Sequence, residues 1–258
     1  MSPDVPAITT RGLFRSFNGK AAVSDLNLTV PRGVFYGFLG TNGAGKSTTI
    51  RMLTGLLAPS AGEMRVLGLD ITHPEESIAI KRRIGVVPEG LALFDYLTGP
   101  EYLTFVAKMH GLTDEVRLER SGHLLGLMDL ADESSKLCLD YSHGMKKKLS
   151  LAAAMIHGPD LLFLDEPFEG VDPVSARVIR GTLQRFVENG GTVFVTSHVM
   201  EIVEKLCTHV GIVTGGKLVL EDTMQNICRT GTLEETFIRA AGDEARGRGR
   251  LDWLEAAH

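Results

Sequence analysis

Residues 33–47 read GVFYGFLGTNGAGKS. An apolar run with aromatic and branched side chains ends at Gly40, and eight residues from there, GTNGAGKS, match the pattern GxxxxGK[ST]. The next residues, TTIRMLTGLL, have helical character, so a helix is predicted from about 45 to 57, stopped by Pro59. A strand, a glycine-rich loop and a helix in immediate succession form the setting in which this pattern binds phosphate, which disfavours the alternative of a flexible glycine turn. The glycines let backbone N–H groups close around a β-phosphate, a lysine neutralises β/γ charge, and a hydroxyl can hold a magnesium ion. The expected phosphate-binding set is Gly40, Thr41, Asn42, Gly43, Ala44, Gly45, Lys46, Ser47 and Thr48. The ligand implied is a nucleoside triphosphate.

Working outward, residues 8–17 and 21–30 read as strands joined by an Asn18-Gly19 turn, with Pro31-Arg32-Gly33 before the third strand. IGVVP at 84–88, LLFLDEP at 161–167 and TVFVTSH at 192–198 are short apolar strands, and the last two flank a helix near 174–189. Residues 99–157 are rich in helical spacing. VGIVTGGKLVLED reads as a hairpin and LEETFIRAAG as a final amphipathic helix. Alternation of strands and helices predicts an α/β fold with a mostly parallel sheet, an N-terminal antiparallel β-subdomain and a helical subdomain inserted at about 90–157. One domain is expected over residues 1–240. A Gly/Arg-rich, mobile tail is expected over 241–258.

A phosphate loop needs a carboxylate on the magnesium side at the end of another apolar strand. Asp165 and Glu166 end LLFLDE; Asp165 is the expected metal-side residue and Glu166 the candidate base, the alternative being an exposed turn. Lys46 and Asp165 lie far apart in the chain, and no NKxD-type guanine motif is present, so ATP is favoured over GTP.

The totals narrow the function further. Acidic residues exceed basic ones by 32 to 27, a formal charge of −5, so no global basic field points to nucleic acid. Cys138, Cys207 and Cys228 are widely spaced, which argues for a reducing compartment and against a zinc site. No apolar run approaches the ~18–20 residues of a membrane span, and MSPDVPAITT lacks a basic segment followed by an apolar one. Any membrane contact is therefore expected to be indirect.

A second stretch poses a separate question. In DYSHGMKKKLSLAAAM, at 140–155, Ser142 is a good N-cap and a helix is predicted from His143, which sets Lys146, Lys147 and Lys148 near its positive end. Such lysines are readily explained if the helix start faces an anion such as phosphate. The alternative is that they fan around the helix as solvated side chains.

Taken together, the motif order over residues 8–240 resembles the ATP-binding subunit of an ABC transporter. The resemblance implies that Phe17 stacks on adenine, with Phe14 as competitor, and that Glu89 stands where the family has a glutamine reaching the metal and the attacking water. YSHGM, at 141–145, is similar to the family's LSGGQ signature: Ser142 and Gly144 match, while His143 and Met145 depart. In the family this segment caps the γ-phosphate of ATP held by the opposite subunit, so the anion expected at the lysines is a partner's phosphate. Asp172, in FEGVD, takes the place of the D-loop aspartate, and His198 that of the histidine sensing the γ-phosphate.

The resemblance therefore implies an ATPase using ATP and Mg²⁺, with Lys46, Glu166 and His198 catalytic and with Ser47, Asp165 and Glu89 on the metal. It implies a pair of such subunits, identical or similar, and a separate transmembrane permease on whose cytoplasmic face they sit. Export is the expected direction. Phe94, Tyr96, Leu97 and Phe105 are the candidate docking surface, the alternative being subdomain core. The competing readings are a soluble ATPase acting on a protein or nucleic acid, and a nonhydrolysing ATP switch.

Overall fold

The computed structural model describes residues 5–242. The predicted tail falls outside them from residue 243 onward. In chain order the elements are β1 (Ile8–Phe17), β2 (Lys20–Val30), β3 (Phe35–Leu39), α1 (Lys46–Leu53), β4 (Ala61–Val66), β5 (Leu69–Asp70), α2 (Pro74–Lys81) and β6 (Ile84–Val87). There follow α3 (Gly99–Met109), α4 (Asp114–Leu127), α5 (His143–Met155), β7 (Leu161–Asp165), α6 (Pro173–Glu188) and β8 (Thr192–Ser197). The chain then forms α7 (Met200–Leu206), β9 (His209–Thr214), β10 (Lys217–Thr223), α8 (Met224–Thr230) and α9 (Leu233–Ala241).

Two sheets organise these elements. The first, in order β2-β1-β4-β5, is antiparallel; the second, in order β10-β9-β3-β8-β7-β6, is parallel except for the β9–β10 hairpin. The expected fold class is the observed one. The apolar runs are continuous because the parallel strands are covered on both faces. Phe35 and Leu39 of β3, Leu162 and Leu164 of β7 and Val193 and Val195 of β8 pack into one core, which takes in residues of α3 to α9. The alternate residues Tyr36, Phe38, Leu161, Phe163 and Phe194 pack into the other, against α1, α2 and the antiparallel sheet. Tyr36 and Phe194 stack there at 5.5 Å between ring centroids.

The helical insertion lies between β6 and β7, which are adjacent in the sheet. Helix α3 opens with a full capping box between Thr98 and Glu101, and Thr113 caps α4. One boundary differs from expectation: α1 stops at Leu53 and does not reach 57. Gly55 adopts a left-handed φ of +70°, and the N–H groups of Gly55 and Leu56 donate to the carbonyls of Met52 and Arg51, which closes the helix one turn before Pro59. Strands β4 and β5 and helices α2, α7 and α8 were not anticipated by the sequence reading.

Candidate functional site

The loop from β3 to α1 is shaped by two glycines that no other residue could easily replace. Gly43 and Gly45 have φ values of +84° and +102°, and a Cβ on Gly45 would run into the carbonyl of Ala22 on β2. With this turn in place α1 starts directly at Lys46. The Lys46 side chain is buried, and its Nζ donates to the Gly40 carbonyl at 2.8 Å and the Thr41 carbonyl at 3.4 Å.

Parallel pairing of β7 with β8 brings the second half of the site to this loop. The Thr196 hydroxyl, fully buried, donates to Asp165 Oδ1 at 2.5 Å and accepts the N–H of Glu166 at 3.1 Å. Glu166 leaves the strand with a φ of +48°, an uncommon conformation for a residue with a side chain. Its Oε2 takes the backbone N–H of His198 at 3.3 Å and lies 3.0 Å from His198 Nδ1. Its Oε1, buried, sits 3.3 Å from Lys46 Nζ, close enough for an ion pair but without a hydrogen bond among the described residues.

Lys46 and Glu166 border a cleft of about 250 Å³ whose wall also includes Thr41, Asn42, Gly43, Gly45, Ser47, Thr48 and Glu89. A buried ammonium at the start of α1, beside a glycine-rich turn, suits a polyphosphate, and the unsatisfied carboxylate oxygen suits a water or a cation. The oxygens of Ser47, Asp165 and Glu89 also suit a hard cation. No cluster of three or more His, Cys, Asp or Glu groups that could hold a metal occurs among the described residues.

Not every anticipated residue lines this cleft: Gly40 and His198 border a neighbouring cavity, Ala44 and Asp165 are buried beside it, and Phe17, Ser142, Gly144 and Asp172 lie elsewhere. Phe17 lies at the end of β1, exposed, with the Arg15 guanidinium 4.8 Å from its ring centroid, whereas the competing Phe14 is half-buried. Ser142 is the N-cap of α5 and accepts the Met145 N–H at 3.2 Å. Gly144 is buried against α6, where a Cβ would come within 2.6 Å of Ser175 Oγ. Asp172 caps α6, accepting the N–H groups of Ser175 at 2.9 Å and Val174 at 3.0 Å; these bonds, Ser175 first, hold its carboxyl below the usual range.

The lysine run needs correcting. Only Lys146 stays partly exposed; Lys147 and Lys148 turn inward, donating to the carbonyls of Glu166 at 3.0 Å and Asp129 at 3.4 Å. The run therefore does not present three cations to one anion. Three neighbours of the site escaped the sequence reading in their roles: Thr196, Lys147 and Phe237. The Phe237 ring closes a small apolar cavity of about 100 Å³ shared with Gly40, Thr41 and His198. Asp165 and Thr196 are directly paired across β7 and β8, so a hydroxyl-bearing residue in the neighbouring apolar strand was the available signal for Thr196.

Comparison with known proteins gives consistent results. The ABC transporter family model matches residues 23–169. The daunorubicin/doxorubicin resistance ATP-binding protein DrrA of Streptomyces peucetius is 36% identical over 251 residues, which cover 97% of this chain and 75% of the relative. The linearmycin resistance ATP-binding protein LnrL of Bacillus subtilis (strain 168) is 37% identical over 83% of this chain and 68% of its own length. For the bacitracin transport ATP-binding protein BcrA of Bacillus licheniformis the identity is 38%, over 83% and 69%. Among solved structures, an ATP-binding subunit of an ABC transporter superposes with a TM-score of 0.84 at 26% identity, covering 92% of this chain and 100% of that one. A dimeric, post-hydrolysis ATP-binding cassette bound to ADP and Pi shares the fold, with a TM-score of 0.78 at 21% identity over 84% of this chain and 98% of that one.

Proposed function

This chain belongs to the ABC transporter family as an ATP-binding ATPase subunit, and from that premise we propose that it powers a separate membrane permease in the export of a small molecule. The observation that carries this reading is that Glu166, in the cleft at the phosphate loop, contacts both Lys46 and His198. Two cassettes close head to tail over two ATP molecules, each cleft receiving Ser142 and Gly144 at the start of the other chain's α5. Phe17 stacks on the adenine, and Asp172 crosses the same interface while capping α6. The ATPase domain runs to about residue 240.

In the reaction, water attacks the γ-phosphorus of ATP and the bond to the β,γ-bridging oxygen breaks, giving ADP and phosphate. Glu166 orients the water and accepts its proton, held for that task by the two contacts from His198 to Oε2. Lys46 lies where it can neutralise charge on the β- and γ-phosphates. Ser47, Asp165 and Glu89 would hold magnesium, which when bound supplies further charge neutralisation on the phosphates.

Three observations support the permease. No helix among the described residues is long and apolar enough to cross a membrane. Within the helical insertion, Phe94, Tyr96 and Phe105 are exposed, with Phe94 and Phe105 edge to face at 5.0 Å, while Leu97 is half-buried. Nearby, a groove of about 460 Å³ between α3 and β6 is lined by Tyr102, Val106, Val86 and Leu56. Adjacent exposed aromatic groups beside such a groove suit an apolar partner segment. The cytoplasmic face of a membrane is the corresponding location. Export is supported by the names of the relatives, which refer to resistance to daunorubicin, doxorubicin and linearmycin and to bacitracin transport.

The test is to express tagged Glu166→Gln chain in its source cells, load it with ATP, extract it in mild detergent and analyse stoichiometric partners. Recovery of a multi-span membrane protein is the expected result. Recovery of soluble partners alone, with the membranes extracted in parallel, would overturn the permease.

A further inference from the structure

Lys147 takes no part in the wall of the cleft, yet its side chain is only 2% exposed and its Nζ donates to the carbonyl oxygen of Glu166 at 3.0 Å. Burying an ammonium group is unfavourable unless it is well paired, and an apolar side chain would fill the same space at less cost. The burial pushes its amine below the usual lysine range, while the carboxylates of Glu169, Asp165, Glu89 and Glu166 pull the other way. The hydrogen bond of this cation goes to a backbone oxygen, that of the residue with the left-handed φ of +48° at the end of β7.

That oxygen also receives the Glu169 N–H at 3.3 Å, so Lys147 and the following turn grip the Glu166 peptide from two sides. A second link runs parallel to the first, from His143 Nε2 to the Glu169 carbonyl at 3.1 Å. Through both, the first two turns of α5 are fastened to the segment that carries the carboxylate.

We propose that Lys147 is a positioning residue for ATP hydrolysis, whose ammonium fixes the Glu166 backbone so that the carboxylate stays against His198 and beside Lys46. Lys147 does not line the cleft; it acts through Glu166, in its own chain. The inference rests on the ATPase reading of the cleft.

The experiment compares the full-length wild-type chain with Lys147→Met and Lys147→Arg in single-turnover and steady-state hydrolysis of Mg-ATP, with MANT-ATP affinity and thermal midpoint measured alongside. Lys147→Met is expected to lower kcat at least tenfold with KM and MANT-ATP affinity within about threefold, and Lys147→Arg to restore most of the rate. If Lys147→Met does not fold, Lys147→Gln against Lys147→Arg decides, the arginine alone keeping the rate. Wild-type turnover matched by Lys147→Met or by Lys147→Gln overturns the proposal, and so does a loss of nucleotide affinity in step with kcat. An inactive wild-type chain with its permease present overturns the underlying ATPase reading instead.

Discussion

His198 holds one oxygen of Glu166 twice, with its backbone N–H at 3.3 Å and its ring Nδ1 at 3.0 Å, leaving the other oxygen beside Lys46. Glu166→Gln keeps the shape and removes the base. It should lower ATP turnover by about 100-fold or more, since a positioned acid or base contributes roughly 10²–10⁴ in rate. His198→Ala should cost less, about 10- to 100-fold, because the backbone contact to Glu166 survives. Phosphate release under saturating Mg-ATP checks both, and ATP affinity should hold in each.

Phe17 and Phe14 differ in exposure, and the difference predicts different phenotypes. Phe17→Ala should weaken ATP binding by about 1 kcal/mol, roughly fivefold, through loss of a stacking face. Phe14→Ala should lower the thermal midpoint and leave affinity nearly unchanged. Titration with a fluorescent ATP analogue and a melting curve separate the two.

At Gly144 a methyl group would come within 2.6 Å of Ser175 Oγ and 2.7 Å of Asp172 Oδ2. Gly144→Ala must therefore displace the Ser175 and Asp172 side chains, which disturbs the α6 cap or pushes α5 away from α6, destabilising the chain by about 1–3 kcal/mol. Denaturant unfolding of the nucleotide-free chain measures this without reference to catalysis.

The stacked rings of His110 and His157, 3.8 Å apart, form an acid-sensitive point in the groove between α3 and β6. Burial first, then His110 and Arg120, push His157 from 6.5 down to about 4, while its bond to the Ile84 carbonyl opposes them; burial also lowers His110. Arg120 on α4 and Lys81 at the groove bring further positive charge near the pair, with Tyr102 on α3 the other titratable group there. In the unfolded chain His157 takes up its proton near 6.5, so stability is fully present above that value and falls as the pH drops towards about 4. Allowing for solvent screening of a partly exposed ring, the loss should be about 1–2 kcal/mol. In His157→Gln the slope of unfolding free energy against pH over this window should flatten.

Phe94 and Tyr96 present apolar rings to solvent. The double substitution Phe94→Ser and Tyr96→Ser should reduce the permease recovered in detergent extracts by at least fivefold, with ATP affinity unaltered. Equal recovery would remove this surface from the docking site.

The phosphate loop was legible because its chemistry is local: Gly43 and Gly45 need a positive φ, and Lys46 and Ser47 follow at a fixed distance. Asp165 and Glu166 were legible because they end an apolar run, and runs buried on both faces carry their own signature; His198 ends another such run, but its role came from the family resemblance alone. The end of α1 was misjudged because Gly55 in a helical pattern can continue the helix or close it, and only the bonds to Arg51 and Met52 decide. The fate of Lys147 and Lys148 was not legible at all. Three lysines in a row look solvated, and whether one finds a carbonyl inside depends on Glu166 and Asp129, which lie 19 positions away on either side. The cap on α6 offered a missed cue: Asp172 precedes Pro173, a frequent pairing at helix starts.

The order of the large sheet carries a consequence for how the chain is made. β3, which leads into the phosphate loop, lies between β8 and β9, both of which come late in the sequence. A chain emerging from the ribosome displays GTNGAGKS early, but the strand before it has no neighbour to pair with until Thr192–Ser197 and His209–Thr214 have also emerged. The nucleotide pocket is thus a product of finished synthesis. A truncated chain ending at residue 169, where the family match stops, would carry the whole glycine loop and still lack both strands that hold it in place.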